Sequence, residues 1–147
     1  MTERDLEDLL VHHPYLIDRE FDGMLAERQL TCKVGRIDIR IKLPDGWCIV
    51  ELKKNSLTPD DVRQLLRYCK AFSGECEQEL SNHHYLIGKR PLKEKYLLKA
   101  LPSDRFEVRI LYLGEHIPLQ LAWDMSTRRY LPYDSSQPQS DHIILRF

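Results

Sequence analysis

The chain has 147 residues, of which 42% are hydrophobic, so it is long enough for one domain with a substantial buried core. Its 22 lysines and arginines nearly balance 23 aspartates and glutamates, which excludes the strongly basic composition typical of many nucleic-acid-binding proteins. No apolar run is long enough to cross a membrane and no signal peptide is recognisable, so we expect a cytoplasmic protein without membrane contact. Four cysteines without a CxxC pair agree with reduced thiols in that compartment.

A helix is predicted from Thr2 onward. Thr2 is a suitable N-cap, and Asp5 stands where a capping-box partner is expected. Pro14 is expected to end the helix, because proline cannot donate the next helical hydrogen bond. A loop or short strand is expected to follow at Leu25 to Cys32. The predicted buried stripe of the helix consists of Leu6, Leu9 and Leu10.

Residues 34–43 alternate between apolar and polar side chains, which predicts a β-strand. Pro44 and Gly46 then indicate a tight turn, and the chain is expected to return as a strand from Trp47 to Lys53. This hairpin would place Asp38 opposite Glu51, within about one residue of register. The predicted apolar face consists of Ile37, Ile39, Ile41 and Leu43, and the polar face of Arg36, Asp38, Arg40 and Lys42.

A second helix is predicted between Thr58, which is a suitable N-cap, and Gly74, with Pro59 in its first turn. Gln64 and Tyr68 lie four residues apart, so we expect them together on a face that differs from the buried one. The predicted buried stripe consists of Val62, Leu65, Leu66 and Cys69.

The later part of the chain continues as alternating strands and helices. We predict a strand at His84–Gly88, a helix at Leu92–Leu101 and a strand at Phe106–Leu113. Weaker alternation returns at Leu119–Trp123 and His142–Leu145. The segment 130–140 is rich in proline and serine and is expected to be a loop.

Asp38, Glu51 and Lys53 are the main candidates for chemistry. Two carboxylates at close range repel unless a cation lies between them, and hard oxygen ligands suit Mg²⁺, for which Mn²⁺ is a common substitute. The main-chain carbonyl of Leu52 could supply a further oxygen ligand. Lys53 follows Glu51 by two residues and therefore faces the same side of the strand. There it could orient an attacking water or neutralise charge that develops on a phosphate.

Gln64 and Tyr68 extend this candidate site, because the amide could hydrogen-bond the water or a metal ligand and the phenol could contact a phosphate. Each feature alone has an ordinary explanation. A Glu-x-Lys pair is usually an exposed ion pair, and an aspartate in an alternating strand usually belongs to the solvated face. The combination of all five residues on adjacent elements is what favours a catalytic site.

These motifs resemble the PD-(D/E)XK nuclease superfamily, and most of all its RecB-type and NucS-type endonuclease domains. The resemblance implies a restriction-endonuclease-like α/β fold, with a mixed central sheet flanked by helices in the order α-β-β-β-α-β. The nuclease core would cover about residues 1–113 of a single domain, followed by a C-terminal extension, 114–147, of unknown role. The resemblance rests on Gly35-x-x-Asp38, Val50-Glu51-Leu52-Lys53-Lys54, Gln64-Leu65-Leu66-Arg67-Tyr68 and His13-Pro14-Tyr15-Leu16-Ile17.

The family often adds a glutamate from the first helix to the site. We prefer Glu3 for this role, because it shares the side of the helix occupied by Leu6 and Leu10, whereas Glu7 projects further from that stripe. By the same resemblance, Asp38 and Glu51 would be metal ligands, Lys53 the catalytic lysine, and Gln64 and Tyr68 accessory catalytic residues.

The resemblance implies a Mg²⁺-dependent endonuclease that cuts DNA, with RNA or branched DNA as other possible substrates. NucS-type enzymes carry a separate N-terminal domain that binds DNA and dimerises, whereas we expect this chain to begin at the nuclease helix. Recognition would then come from the catalytic face, the C-terminal segment, a second copy in a homodimer, or a larger complex. The alternatives are a catalytically silent module that binds nucleic acid or a partner protein, and a structural subunit. The predicted phosphate contacts are Arg36, Lys54, Arg67, Lys89, Arg90 and Lys93.

Overall fold

The computed structural model describes residues 2–32, 35–74, 77–102, 105–118, 120–133 and 144–146. None of the helices in these ranges is both long enough and apolar enough to cross a bilayer. The helices are α1 (Glu3–His12), α2 (Pro59–Gly74) and α3 (Glu94–Lys99), with short 3₁₀ helices at Pro14–Leu16 and Arg19–Phe21. The strands are β1 (Ala26–Cys32), β2 (Gly35–Leu43), β3 (Gly46–Ser56), β4 (His83–Lys89), β5 (Glu107–Tyr112), β6 (Gln120–Asp124), β7 (Arg129–Pro132) and β8 (Ile144–Arg146).

Five strands form a mixed central sheet in the spatial order β1-β2-β3-β4-β5. The pairs β1–β2 and β2–β3 are antiparallel, whereas β3–β4 and β4–β5 are parallel. Val50 and Ile49 are neighbours in β3 but belong to different hydrophobic clusters, one shared with Leu10 of α1 and the other with Leu65 of α2. Successive strand residues point to opposite faces, so α1 and α2 cover opposite faces of the sheet. The predicted mixed α/β fold and the order α-β-β-β-α-β are therefore confirmed, and α3 and β5 continue that order.

Reciprocal capping boxes define the start of both long helices, of which the sequence predicts the first box and the N-cap Thr58 of the second. In α1 the Asp5 N–H donates to Thr2 Oγ1 (3.1 Å) and the Thr2 N–H donates to Asp5 Oδ2 (2.9 Å). In α2 the same exchange joins Thr58 and Asp61, at 3.3 and 2.8 Å. These bonds satisfy backbone donors that a helix leaves without an internal partner. The predicted starts of both helices are confirmed, as is the predicted end of α2 at Gly74.

The hairpin between β2 and β3 also has the predicted register. Leu43 pairs with Gly46 across the two-residue turn, and the ladder continues as far as Ile39 opposite Val50. The next position brings Asp38 opposite Glu51, because each step along an antiparallel pair moves both strands by one residue. The turn and the alternation together were sufficient to place the two carboxylates.

The apolar face of β2 differs from the prediction. Ile39 and Ile41 pack on the α1 side of the sheet, whereas Ile37 packs on the α2 side. The expectation that all apolar residues of this strand share one face is therefore wrong at Ile37. The change of face falls at Asp38, and Gln29, which lies opposite Asp38 in β1, has a positive φ of 56°. The sheet is thus locally distorted at the position of the candidate aspartate.

The C-terminal extension forms a second sheet, in which β6 lies between β7 and β8. The Tyr130 N–H donates to Tyr15 Oη (2.9 Å), and the rings of Tyr130 and Trp123 lie 5.0 and 5.8 Å from His13. The extension therefore docks on the turn that follows α1. The predicted loop at 130–140 is wrong at its start, which belongs to β7 (Arg129–Pro132), and its part from 134 onward lies outside the described residues.

Cys48 and Cys69 are buried free thiols, as the sequence predicts. Burial raises the pKa of Cys69 to about 12 and also raises the pKa of Cys48. Both side chains therefore stay protonated and act as small apolar residues in the two clusters. The side chain of Cys32, and Cys76 as a whole, lie outside the described residues.

Candidate active site

The candidate site lies where β2 and β3 stop pairing through their backbones. Beyond Ile39 and Val50, carboxylates replace the backbone acceptors of the ladder. The Asp38 N–H donates to Glu51 Oε1 (3.1 Å), and the Leu52 N–H donates to Asp38 Oδ2 (2.8 Å). These bonds fix both carboxylates at the split between the strands and satisfy backbone donors in a half-buried setting.

Burial and mutual repulsion dominate the electrostatics of this pair. Glu51 is only 3% exposed, and burial together with the nearby Asp38 charge raises its pKa to about 8. The pKa of Asp38 is also raised, first by burial and further by the charge of Glu7. The Lys53 ammonium lowers the pKa of both carboxyls, but this effect is smaller than that of burial. With both groups ionised, the pair would therefore be unfavourable without an additional cation.

A bulge in β3 determines where Lys53 lies. β3 and β4 pair at Leu52 opposite Ile87, and pairing resumes only at Ser56 opposite Lys89, so residues 53–55 oppose Gly88 alone. A Cβ atom at Gly88 would lie 2.4 Å from Leu57 Cδ2 and 3.1 Å from the carbonyl oxygen of Lys53. Glycine at position 88 thus lets the bulged strand approach β4. No pattern in the sequence predicts this bulge, which holds the half-buried Lys53 beside the carboxylate pair.

Gln64 and Tyr68 are joined on α2, because Gln64 Nε2 donates to Tyr68 Oη (3.1 Å). Tyr68 is only 6% exposed and belongs to the core cluster on the α2 side. The prediction that these residues share a face apart from the buried stripe is therefore wrong for Tyr68. Since its ring is part of the core, we interpret Tyr68 as a residue that positions Gln64. A direct contact with a phosphate, as the sequence suggested, stays a prediction.

Gly35 explains how Tyr68 can lie against the first residue of β2. A Cβ atom at Gly35 would lie 2.7 Å from Tyr68 Oη, and Gly35 has a φ of +146°. We expect Gly35→Ala to destabilise the fold by about 2–3 kcal/mol, from backbone strain and the displaced phenol. The matched control is Gly23→Ala, where φ is +78° but no atom lies within 4 Å, and strain alone should cost about 1 kcal/mol.

Urea unfolding of both glycine variants measures this difference. Because the displaced Tyr68 also carries Gln64, Gly35→Ala should reduce any activity of the site, whereas Gly23→Ala should not. Equal destabilisation by the two substitutions would show that the contact with Tyr68 has no energetic weight.

The first helix turns a different glutamate toward the interior from the one preferred on sequence grounds. Glu7 is buried, with 4% exposure, and its Oε1 accepts a bond from Arg28 Nε (3.0 Å). Glu3 is exposed, and its Oε1 accepts the Lys54 N–H (2.8 Å). The reason given for preferring Glu3 is therefore wrong, because Glu7 projects toward the interior. The charge of Glu7 also acts on Asp38 more strongly than that of Glu3.

The predicted phosphate contacts differ in how free they are to bind an anion. Arg36 lies two residues before Asp38, Lys54 follows Lys53, and both side chains are exposed. Arg90 bonds to Glu94 and to both carboxylate oxygens of Glu115 (2.7 Å), and lies over the Tyr112 ring. The structure thus places Arg90 in a neutralised cluster. The other exposed cations of the predicted set are Arg67, Lys89 and Lys93.

The chemistry of the donor set fits a divalent cation that prefers oxygen. Glu51 is a buried carboxylate and Asp38 a half-buried one, and burial together with neighbouring carboxylates raises the pKa of both, an effect that a divalent cation would relieve. Within the described ranges, no three histidine, cysteine, aspartate or glutamate side chains converge as a ready metal site. A cation would therefore need a further ligand from the main chain, from solvent or from the substrate. The carbonyl of Leu52 stays a prediction in that role.

The chain has a mixed sheet between helical layers, two carboxylates at the split of an antiparallel hairpin, and a lysine two residues after the second carboxylate. Together these features define a nuclease-type α/β domain. Residues 2–81 match the family described as the Endonuclease NucS C-terminal domain. The match covers more than half of the chain, and the chain belongs to this family.

Comparison with solved structures supports the same fold. The chain is similar to the crystal structure of a repair endonuclease from Pyrococcus abyssi, with a TM-score of 0.59 and 20% sequence identity. The similarity covers 76% of this chain and 47% of that one, so the chain spans about half the length of the solved protein. Comparison with curated proteins gives no match.

Proposed function

We propose that this protein is a metal-dependent endonuclease that hydrolyses phosphodiester bonds in DNA. The observation that carries the proposal is the pair of Glu51, which is buried, and Asp38, which is half-buried, fixed across the split of β2 and β3 with Lys53 beside both. Membership of the NucS C-terminal domain family supports a nuclease. DNA is the proposed substrate because the similar solved structure is described as a repair endonuclease.

Each side chain has a definite task in this proposal. Asp38 and Glu51 would hold Mg²⁺ or Mn²⁺ as ionised carboxylates. When bound, the cation supplies positive charge that polarises the scissile phosphate and favours ionisation of the attacking water. The Lys53 ammonium donates hydrogen bonds to that water or to a phosphate oxygen, where negative charge increases during the reaction. Gln64, anchored by Tyr68, orients the same water or a carboxylate.

Glu7 adds a negative charge near Asp38 and raises the pKa of that carboxyl. Glu7 Oε1 accepts a bond from Arg28 Nε (3.0 Å) within the buried layer. We therefore propose that Glu7, rather than Glu3, is the glutamate of α1 that adds negative charge near the cation, without joining Asp38 and Glu51 in a ready set of three ligands. The exposed Arg36 and Lys54 flank the carboxylate pair along the chain, where they would contact the phosphates next to the one that is cut.

Lys53→Ala tests the proposal most directly. We expect cleavage of plasmid or oligonucleotide DNA in Mn²⁺ or Mg²⁺ to fall by about a hundredfold to a thousandfold, because the substitution removes a charge that stabilises the transition state. The matched control is Lys42→Ala, an exposed lysine near the far end of the same hairpin, which should cut at the wild-type rate.

Binding should separate this proposal from its rival. In EDTA, Lys53→Ala should bind DNA about as well as the wild type, since Lys53 acts mainly in the transition state. Wild-type protein that binds DNA without cutting any form of it in either metal would favour the catalytically silent module. Equal cleavage by Lys53→Ala and the wild type would refute the assigned role of Lys53.

A further inference from the structure

The surface of α3 combines exposed cations with an exposed aromatic ring. Tyr96 is 49% exposed, and the ammonium groups of Lys93, Lys95 and Lys99 lie 6.0, 5.2 and 5.9 Å from the centroid of its ring. Leu92, which precedes the helix, is fully exposed. We call these five residues the α3 surface. The surface therefore offers the face of an aromatic ring and an apolar side chain in the middle of a cluster of positive charges.

The lysines of the α3 surface are free of carboxylate partners in the part of the chain that the structure describes. No ion pair there involves Lys93, Lys95 or Lys99, and Glu94 bonds to Arg90 instead. Arg90 is held in turn by Glu115, and Leu97 is buried in the core cluster, so α3 is fixed at both ends. The surface is thus rigid and positively charged, and its charge is not neutralised from within.

A ridge of cations on α2 leads from the candidate site toward α3. Arg63, Arg67 and Lys70 lie at positions i, i+4 and i+7, so they form one stripe of the helix, and with Asp60 they line an open groove of about 620 Å³. Arg63 is paired with Asp60, so the net positive charge of the groove comes from Arg67 and Lys70. Arg67 is one turn from Gln64. On the other side of the stripe, Leu66 packs in the cluster that includes the C-terminal end of α3. The positive charge therefore runs from the site to the α3 surface.

The opposite layer of the molecule has the opposite charge. Residues 2–22, which contain α1, carry seven acidic residues and two arginines, whereas α2 and residues 89–99 together carry eight lysines and arginines and three acidic residues. A net charge of −1 conceals this separation. A polyanion would be attracted to the α2–α3 layer and repelled by the α1 layer.

We propose that the α3 surface binds an unpaired stretch of a DNA strand, with a base stacked on Tyr96 and phosphates at Lys93, Lys95 and Lys99. Every base has an apolar face that stacks on an aromatic ring, and phosphates need the surrounding cations. A duplex offers no free base face, so the exposed ring selects unpaired nucleotides. The ridge on α2 would carry the strand from there to the carboxylate pair. This last step rests on the proposed function, whereas binding at α3 does not.

The test uses a fluorescently labelled single strand of about a dozen nucleotides, with binding followed by anisotropy in EDTA. We expect Tyr96→Ala to weaken binding by about tenfold and Tyr96→Phe to leave it nearly unchanged, since phenylalanine keeps the stacking face. With abasic nucleotides in the strand, Tyr96→Ala should have no effect. Replacing Lys93, Lys95 and Lys99 by glutamine should reduce the salt slope of log K by about 2, whereas Arg4→Gln with Arg19→Gln on the α1 layer should not.

Binding at the α3 surface and cleavage at the carboxylate pair can be tested independently. Lys53→Ala protein should bind the labelled strand like the wild type, so loss of cleavage alone leaves the proposed surface intact. Equal binding by the wild type and Tyr96→Ala would overturn the proposal, as would a loss that persists with the abasic strand. A change in sedimentation of Tyr96→Ala without DNA would instead identify the α3 surface as a contact between copies of the chain.

Discussion

Replacing Asp38 by asparagine is expected to abolish cleavage and, at the same time, to stabilise the metal-free protein. Asparagine keeps the shape of the side chain and an oxygen that can accept the Leu52 N–H, but it binds a divalent cation weakly. We expect the cleavage rate to fall by at least about a thousandfold. Since burial and repulsion raise the pKa of both carboxyls, removing one of the two charges should stabilise the metal-free fold by about 1–2 kcal/mol at pH 8.

The two opposite effects make this substitution informative. A residue that only holds the hairpin together would lose stability when replaced, and activity would fall as a consequence. Asp45→Asn provides this comparison, because the Asp45 carboxylate lies in the hairpin turn and accepts bonds from Ser81 Oγ (3.1 Å) and the Asn82 N–H. We expect it to lower stability slightly and leave cleavage unchanged. Urea unfolding in EDTA and cleavage in Mn²⁺ measure both properties, and a destabilised Asp38→Asn that still cuts DNA would contradict the assignment of Asp38.

Local rules were sufficient for the hairpin and the helix starts. The register of β2 and β3 follows from a turn with proline and glycine at fixed positions and from a period of two residues, so Asp38 could be placed opposite Glu51. The start of α2 follows from the capping chemistry of Thr58 and Asp61. Both inferences involve residues close together in the chain, where backbone geometry decides the outcome.

The details that complete the site depend on distant partners, which sequence patterns do not show. Glu7 turns inward because Arg28, 21 residues away, accompanies it into the interior. Tyr68 is buried because Gly35 leaves space for its phenol. Lys53 lies beside the carboxylates because β3 bulges against Gly88. The sequence does not distinguish a glycine that permits close packing from a glycine that is needed in a turn. The role of such a glycine therefore becomes visible only in the packed structure.

The second large effect concerns pH. We expect the stability of the metal-free protein to fall as pH rises from 6.5 to 8. Burial and the Asp38 charge raise the pKa of Glu51 to about 8, against an ordinary value of 4.5. Between pH 4.5 and about pH 8 the Glu51 carboxyl has lost its proton in the unfolded chain but keeps it in the folded chain, so raising the pH favours unfolding. Across 1.5 pH units this amounts to about 2 kcal/mol, at about 1.4 kcal/mol per unit.

Between pH 6.5 and 8 the buried histidine has little effect on the pH dependence of stability. His84 is buried, its Nδ1 accepts the Ile49 N–H (2.9 Å), and burial lowers its pKa to about 4 from 6.5. Below pH 6.5 the unfolded chain therefore binds a proton that the folded chain refuses, so this group makes stability fall as pH decreases. Above pH 6.5 the unfolded chain loses the remaining protons of His84, so this group opposes the fall in stability only weakly, and the larger slope reports on the carboxylate pair.

A divalent cation should reverse the trend, because it binds the ionised pair. Affinity for Mn²⁺, measured by calorimetry, should increase up to about tenfold per pH unit below pH 8, with release of a proton on binding. Saturating Mn²⁺ should then remove the loss of stability between pH 6.5 and 8.

Glu51→Gln supplies the control, since its amide does not titrate. Its metal-free stability should be flat over the window, and its Mn²⁺ affinity should be low at every pH. If the free energy of unfolding of the wild type in EDTA does not change with pH, or if Glu51→Gln shows the same change, then ionising the carboxylate pair does not destabilise the fold. The geometry at the split of β2 and β3 would then need an explanation other than cation binding.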